Sequence, residues 1–224
     1  MAPKFIETLE FSPQMLGQQL TKVLMDAIVA NELPGGEKLV EHQLQKKFGV
    51  SRSPIREAIR DLEKLGLVEI IPRKGTIVKK ITRKDVKEDY IVRAPLEGLA
   101  AKEAYSNMDE KDMAHLNQIL ESMSKAAVSG KITEYWHAHA DFHNTFINAC
   151  GIELLSSILN VLRIHSLRSR LVYPYLDEDL FASLKTHQEI LKRFQSSDTD
   201  VNELEKFVTQ HILDALPGFL ANIQ

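Results

Sequence analysis

A chain of 224 residues, 44% of them hydrophobic, holds enough apolar material for two modest domains with cores of their own. No apolar run approaches the roughly 18 residues of a membrane helix, the opening MAPKFIETLEF lacks signal-peptide organisation, and the single Cys150 excludes an intramolecular disulfide, so a cytoplasmic protein with no membrane partner is expected. The net charge of −3 is unevenly spread: residues 1–80 carry 13 Lys/Arg against 10 Asp/Glu, and the remainder carries 15 against 21.

The elements follow in order. Ser12-Pro13 starts a helix running to about Asn31, with Leu16, Leu20, Val23, Leu24, Ala27 and Ile28 on its inner face. A short helix over 41–48 is joined by the turn Gly49-Val50-Ser51 to a second, in which Arg52, Arg56 and Arg60 recur every four residues. Ile55, Ala58, Ile59, Leu62 and Leu65 fall on its opposite side, so one face packs and the other presents guanidinium groups, as a helix lying against nucleic acid requires. Ser51 reads as the N-cap and Gly66 as a left-handed stop. Two β-prone runs, 67–71 and 76–78, flank Pro72-Arg73-Lys74-Gly75, a basic hairpin tip that makes the helix-turn-helix winged. An amphipathic helix with a merely solvated charged face explains a stripe alone, but not the turn, cap and basic hairpin in this order.

After residue 80 the pattern is helical throughout. Thr82-x-x-Asp85 forms a capping box with Asp in place of Glu, and helices are expected near 83–106, 109–129, 131–149, 152–172, 179–196 and 200–222, with Gly130, Gly151 and Pro174 as breaks. The fold class is therefore mainly α: a winged helix-turn-helix over 1–80, then an all-α antiparallel bundle over 81–224. His139 and His143 stand four apart on one helix, while Asp141 points about 200° away from His139. His187 and His211 sit singly on later helices beside apolar residues. Such a set is how a bundle builds a metal site, although an inward histidine is also a common hydrogen-bonded core residue. His42, His115, His137 and His165 are read as surface or helix-end residues. Tyr135 and Trp136 are expected in the core or a pocket wall, and Phe142, Phe146, Ile147 and Cys150 in the core.

Two resemblances rest on these residues. The run PGGEKLVEHQLQKKFGVSRSPIREAIRDLEKLGLV, followed by PRKGTIV, resembles the DNA-binding domain of GntR-type bacterial transcription regulators over about 13–80. It implies that Ser51, Arg52, Ser53 and Arg56 meet phosphates and base edges in the major groove of a palindromic operator. The wing residues Arg73, Lys74 and Gly75 would enter the minor groove. His42 stands where that family commonly has Arg, which implies one fewer phosphate contact. Residues 85–222 resemble the helical FCD effector domain of the FadR-like branch, through Arg93-x-x-Leu96-Glu97, Phe142-His143, His187 and His211-Ile212. Metal-binding members carry Asp-x-x-Phe-His; His143, His187 and His211 match position by position, whereas His139 replaces that Asp. The pattern after that helix also departs, as Cys150-Gly151-Ile152.

Four neutral imidazoles leave the full +2 of a divalent ion in the pocket and suit Zn²⁺, Ni²⁺ or Co²⁺ over Mn²⁺ or Mg²⁺. A small organic acid is the expected effector, with Arg93 and Arg163 supplying charge-assisted hydrogen bonds. Alternatively, Arg93 pairs with Glu97 and Arg163 is solvated. Three classes follow: a homodimeric regulator answering to an acid, the same regulator with a structural or directly sensed metal, and a four-histidine metalloenzyme. No general base or nucleophile accompanies the cluster, so a non-enzyme is expected. Repression is the commoner outcome in the resembled family, and nothing in these residues selects the sign.

Overall fold

The structure, a computed structural model, describes residues 16–172, 180–221 and 223. The chain divides into two compact units, Met1–Lys80 and Ile81–Gln224.

The first unit contains α1 (Leu16–Val29), β1 (Lys38–Leu39), α2 (Glu41–Phe48), α3 (Arg52–Lys64), β2 (Val68–Ile71) and β3 (Gly75–Val78). Helix α1 packs on α3, burying Leu20, Leu24, Ala27 and Ile28 against Ile55, Ala58, Ile59 and Leu62. The amphipathic spacing of α3 is thus spent on a core, and its opposite side stays in water. Leu65, expected on the packed face, is only half-buried, because it is the C-cap, where the helix turns away. Gly66 adopts φ 71°; the Leu67 amide bonds the Leu62 carbonyl at 2.9 Å and the Gly66 amide bonds that of Glu63 at 2.9 Å. Those two bonds form a Schellman motif, whose left-handed position glycine occupies without steric cost. Ser51 is at the N-cap position with extended backbone, but its hydroxyl makes no capping hydrogen bond; the expected cap is correct in place and wrong in chemistry.

The sheet has the order β1-β3-β2, both pairings antiparallel. Strand β1 is too short to show an alternation and was not foreseen; it pairs Lys38 with Ile77 and Leu39 with Thr76. In the hairpin, Ile71 is opposite Gly75, so Gly75 opens β3 and the tip is Pro72-Arg73-Lys74. The Lys74 amide bonds the Ile71 carbonyl at 3.1 Å, and Arg73 has φ 64°. Proline at the second turn position and a positive φ at the third describe a type II turn, in which an arginine takes glycine's usual place.

The second unit is a bundle of α4 (Arg83–Ala104), α5 (Glu110–Val128), α6 (Ile132–Ala149), α7 (Glu153–Val172), α8 (Leu180–Gln195) and α9 (Val201–Ala221). The expected Thr82–Asp85 capping box starts α4: the Asp85 amide bonds Thr82 Oγ1 at 3.2 Å and the Thr82 amide bonds Asp85 Oδ2 at 2.9 Å. Asp109 and Asp112 form a second box at the start of α5. Helix α4 packs on α9 and α7, α5 on α6 and α8, and α6 on α7. Gly98 permits the α4–α9 approach, since a Cβ there would fall 2.6 Å from the Glu205 carbonyl oxygen. The core includes Tyr135, Trp136, Phe142, Phe146, Ile147 and Cys150, all at most 1% exposed. Pro174 lies outside the described residues, as do Ser12 and Pro13. No described helix is long and apolar enough to cross a membrane.

Candidate metal centre and nucleic-acid interface

In the first unit, Ser51, Arg52, Ser53, Arg56 and Arg60 are exposed, as are His42 on α2 and Arg73, Lys74 and Gly75 at the wing. Two of the arginines already have a partner. Glu41, at the start of α2, accepts from Arg52 Nε at 2.6 Å and lies 3.8 Å from Arg56 Nε. It holds two guanidinium groups side by side on the free face of α3.

In the bundle, α6, α8 and α9 bring His139, His143, His187 and His211 together, with one ring nitrogen from each lying within 4.8 Å of the others. The helical spacing of four puts the first two rings on one face of α6, and α8 and α9 each contribute one more. The first three are buried and His211 is half-buried. Asp141 points to solvent, as expected. Burial holds every imidazole neutral: His143 and His211 are pushed down to about 3, and His139 and His187 also lie well below their usual range. Mutual repulsion among the rings and the nearby Arg163 and Arg170 adds to this at His139 and His187.

The tautomers follow from the partners. His187 Nδ1 is 2.7 Å from the Ser183 carbonyl oxygen, which can only accept, so the proton is on Nδ1. His143 Nδ1 is 2.5 Å from Glu97 Oε2. Burial alone would raise the Glu97 carboxyl, but Arg163, Arg93 and His143 outweigh it and hold it well below 4.5, so it too is an acceptor. Both Nε2 atoms therefore carry lone pairs, and they face each other 3.0 Å apart. Two lone pairs at that distance repel unless a cation lies between them. Nitrogen ligands about 2.0–2.1 Å from one ion are about 2.9–3.4 Å apart, for right-angle to tetrahedral arrangements, so the His143–His187 pair is spaced as two ligands of one transition metal, with His139 and His211 within 4.8 Å to complete the set on a small inward shift.

Around the histidines lies a buried ionic network. Glu97 Oε1 accepts from Arg93 Nη1 at 2.7 Å and Arg163 Nη1 at 3.0 Å. Arg163 also donates from Nε to Asn144 Oδ1 and from Nη2 to the Ala140 carbonyl, both at 2.7 Å. The solvated alternative for Arg163 is thus corrected: the side chain is 6% exposed, because a buried carboxylate draws it inward. The pairing of Arg93 with Glu97 is present, and Asp89 joins it 3.5 Å from Arg93 Nε. Burial raises the Asp89 carboxyl to about 6 despite Arg93.

A cavity of about 320 Å³ opens beside the cluster, lined among others by Tyr90, Arg93, His139, His143, Arg170 and His211. Arg163 is not in its lining. Arg170, which the sequence reading passed over, is; its guanidinium lies 3.9 Å from the Trp136 ring centroid. Its position seven residues after Arg163 on α7, the same helix face, was the available signal. His115 and His137 are exposed, whereas His165, expected at a surface or helix end, is half-buried in the middle of α7.

A winged helix with an outward arginine stripe, carried in one chain with a helical bundle that holds a cavity lined in part by arginines and histidines, is the build of a two-domain transcriptional regulator. Residues 16–78 match the family "Bacterial regulatory proteins, gntR family" and residues 88–213 match the FCD domain. The chain belongs to the GntR family and carries an FCD domain at its C-terminal side. It is 41% identical over 125 residues to the HTH-type transcriptional regulator YdhC of Bacillus subtilis (strain 168), an alignment covering 55% of this chain and 56% of that one. It is 29% identical over 182 residues to the gluconate operon transcriptional repressor of Bacillus licheniformis, covering 78% and 73%. A solved GntR regulator from Rhodococcus sp. RHA1 shares the fold with a TM-score of 0.77 at 18% identity, over 93% of this chain and 99% of that one. Regulators of this family bind operator DNA and respond to small-molecule effectors, and these relatives are regulators rather than enzymes.

Proposed function

We propose that this protein is a cytoplasmic, homodimeric repressor that binds a palindromic operator through α3 and the wing. In this reading Ser51, Arg52, Ser53, Arg56, Arg60 and His42 meet the major groove and its phosphates, and Arg73, Lys74 and Gly75 the minor groove. His139, His143, His187 and His211 hold a divalent transition metal, Zn²⁺ or Ni²⁺ before Mn²⁺. With coordination beyond four, the metal would offer Lewis-acid positions to a carboxylate. A small organic acid occupies the adjacent cavity, where Arg93 offers one cationic wall; Arg170 takes the part first given to Arg163, because it lines the cavity and Arg163 does not. The name of the gluconate relative, which concerns a sugar acid, agrees with this ligand class.

The observation that carries the reading is the pair of Nε2 lone pairs held 3.0 Å apart in a cluster of neutral, largely buried imidazoles. Metal content of protein purified without chelator, measured beside His143→Ala/His187→Ala, tests the site; equal content in both rejects it. For the head, Arg52→Ala/Arg56→Ala should weaken operator binding and lower the slope of log affinity against log salt by up to about 4, because each arginine enters twice in the dimer. An unchanged slope rejects the assignment. The second reading, in which the metal itself is the signal, predicts that metal alone shifts operator affinity and that sugar acids add nothing.

A further inference from the structure

Glu97 is fully buried, lies outside the ligand set, and accepts hydrogen bonds from α4, α6 and α7 at once. Its two oxygens have different tasks. Oε1 takes both guanidinium donors, and among the described residues Oε2 takes the His143 ring alone. His143 needs that help: its neutral ring has one proton to place, and its two nitrogens have opposite surroundings. With the proton on Nδ1, the ring donates to the carboxylate and turns a lone pair toward His187 and the centre of the cluster. With the proton on Nε2, the ring would set a lone pair against an anion and block the centre.

We propose that Glu97 is the positioning residue of the histidine site: its carboxylate locks His143 in the Nδ1–H tautomer, so that Nε2 is the nitrogen offered to the metal. The inference rests on the metal reading given above and deepens it. It also accounts for a charge. Four neutral imidazoles bring no anion to the ion, and Glu97 places one behind a ligand, bonded through the ring, where an outer-shell carboxylate raises ligand basicity. The Ser183 carbonyl does the same orienting work for His187 without a charge.

Glu97→Gln separates positioning from packing, because it keeps size and shape. The two guanidinium groups can only donate, so the amide oxygen must turn toward Arg93 and Arg163 and the amide NH₂ toward His143. His143 Nδ1 then accepts, and its proton moves to Nε2. Long-range ¹H–¹⁵N correlation spectra of the metal-free full chain report the tautomer directly, with the His143 signals assigned by their loss in His143→Asn. The expected result is Nδ1–H in the wild type and Nε2–H in Glu97→Gln, with Zn²⁺ affinity, measured by competition with a chromophoric chelator, falling about 10- to 100-fold. A wild-type His143 protonated on Nε2 overturns the proposal, and this measurement decides even where Glu97→Gln does not fold. Equal Zn²⁺ affinity in folded wild type and variant also overturns it. A wild-type chain that takes up no Zn²⁺ rejects the metal reading itself, a failure visible before the variant is compared.

Discussion

Arg163→Ala is the most demanding test of how the bundle is held together. The side chain is 6% exposed and makes three hydrogen bonds, to Glu97, Asn144 and the Ala140 carbonyl. Truncation removes a cation from a buried carboxylate and leaves the Asn144 side-chain oxygen without this donor, while the Ala140 carbonyl keeps its helical bond. Each hydrogen bond to a charged group contributes about 1.5–3 kcal/mol. The three are not additive, since Glu97 keeps Arg93 and His143 and water can enter the space left behind. Breaking a buried ion pair from one side costs about 3–5 kcal/mol, and that is the expected loss. Against a typical total of about 5–15 kcal/mol it is a large fraction. Urea unfolding of the metal-free chain followed by circular dichroism at 222 nm reads it, with Lys125→Ala as the control. Lys125 is 80% exposed and only 4.0 Å from Glu121, so its loss should stay within about 0.5 kcal/mol. A loss below about 1 kcal/mol for Arg163→Ala would refute the reasoning, showing that the network orders the site without stabilising the fold.

Three further outcomes are expected. His139→Asp places a carboxylate among the candidate ligands, so the preference for Zn²⁺ over Mn²⁺ in competitive titrations should fall by about tenfold or more; an unchanged ratio would remove His139 from the ligand set. Acid should destabilise the metal-free chain: with His143 and His211 at about 3 when folded against an ordinary value of 6.5, their contribution is complete above 6.5 and drains as pH falls. The rate is at most about 1.4 kcal/mol per pH unit for each group. Asp89 acts in the opposite sense, since a carboxyl raised from 3.8 to about 6 favours the fold when protonated and loses that contribution as pH rises through 6. Urea midpoints should therefore drop between pH 6.5 and 4.5, and drop more steeply in Asp89→Asn; a midpoint that rises on acidification contradicts the assignment. Glu41→Gln frees Arg52 and Arg56 from a common carboxylate and should tighten binding to non-operator DNA by about twofold to fivefold at low salt, narrowing the operator preference. Fluorescence anisotropy with operator and scrambled duplexes checks it, and an equal gain on both would assign Glu41 no part in discrimination.

Where the sequence was legible, short-range periodicity was the reason. The i, i+4 arginines, the Thr82–Asp85 box and the apolar faces of the bundle helices all depend on neighbours within a turn or two. Strand β1 was illegible because two residues carry no alternation, and its pairing depends on β3, some forty residues later. The candidate site was legible in its ligand types, since paired histidines four apart signal a shared face. Its ionic surroundings were not. Arg163 was free to read as a solvated residue because its partners Glu97, Ala140 and Asn144 lie on two other helices, and only packing joins them. Arg170 escaped for the same reason, and so did the clasp of Glu41 on the arginine stripe, which needs the turn between α2 and α3 to close.

The arginine at the tip of the wing carries a consequence for anyone who engineers this chain. Arg73 sits in the left-handed region at φ 64°, where a side chain costs about 1–2 kcal/mol relative to glycine. Replacing it with glycine should raise the melting temperature. A campaign that ranked variants by heat resistance would keep that change early and discard, as an apparent defect, the outermost guanidinium of the hairpin. On the proposed reading of the wing, selection for durability and selection for recognition pull in opposite directions at this one residue.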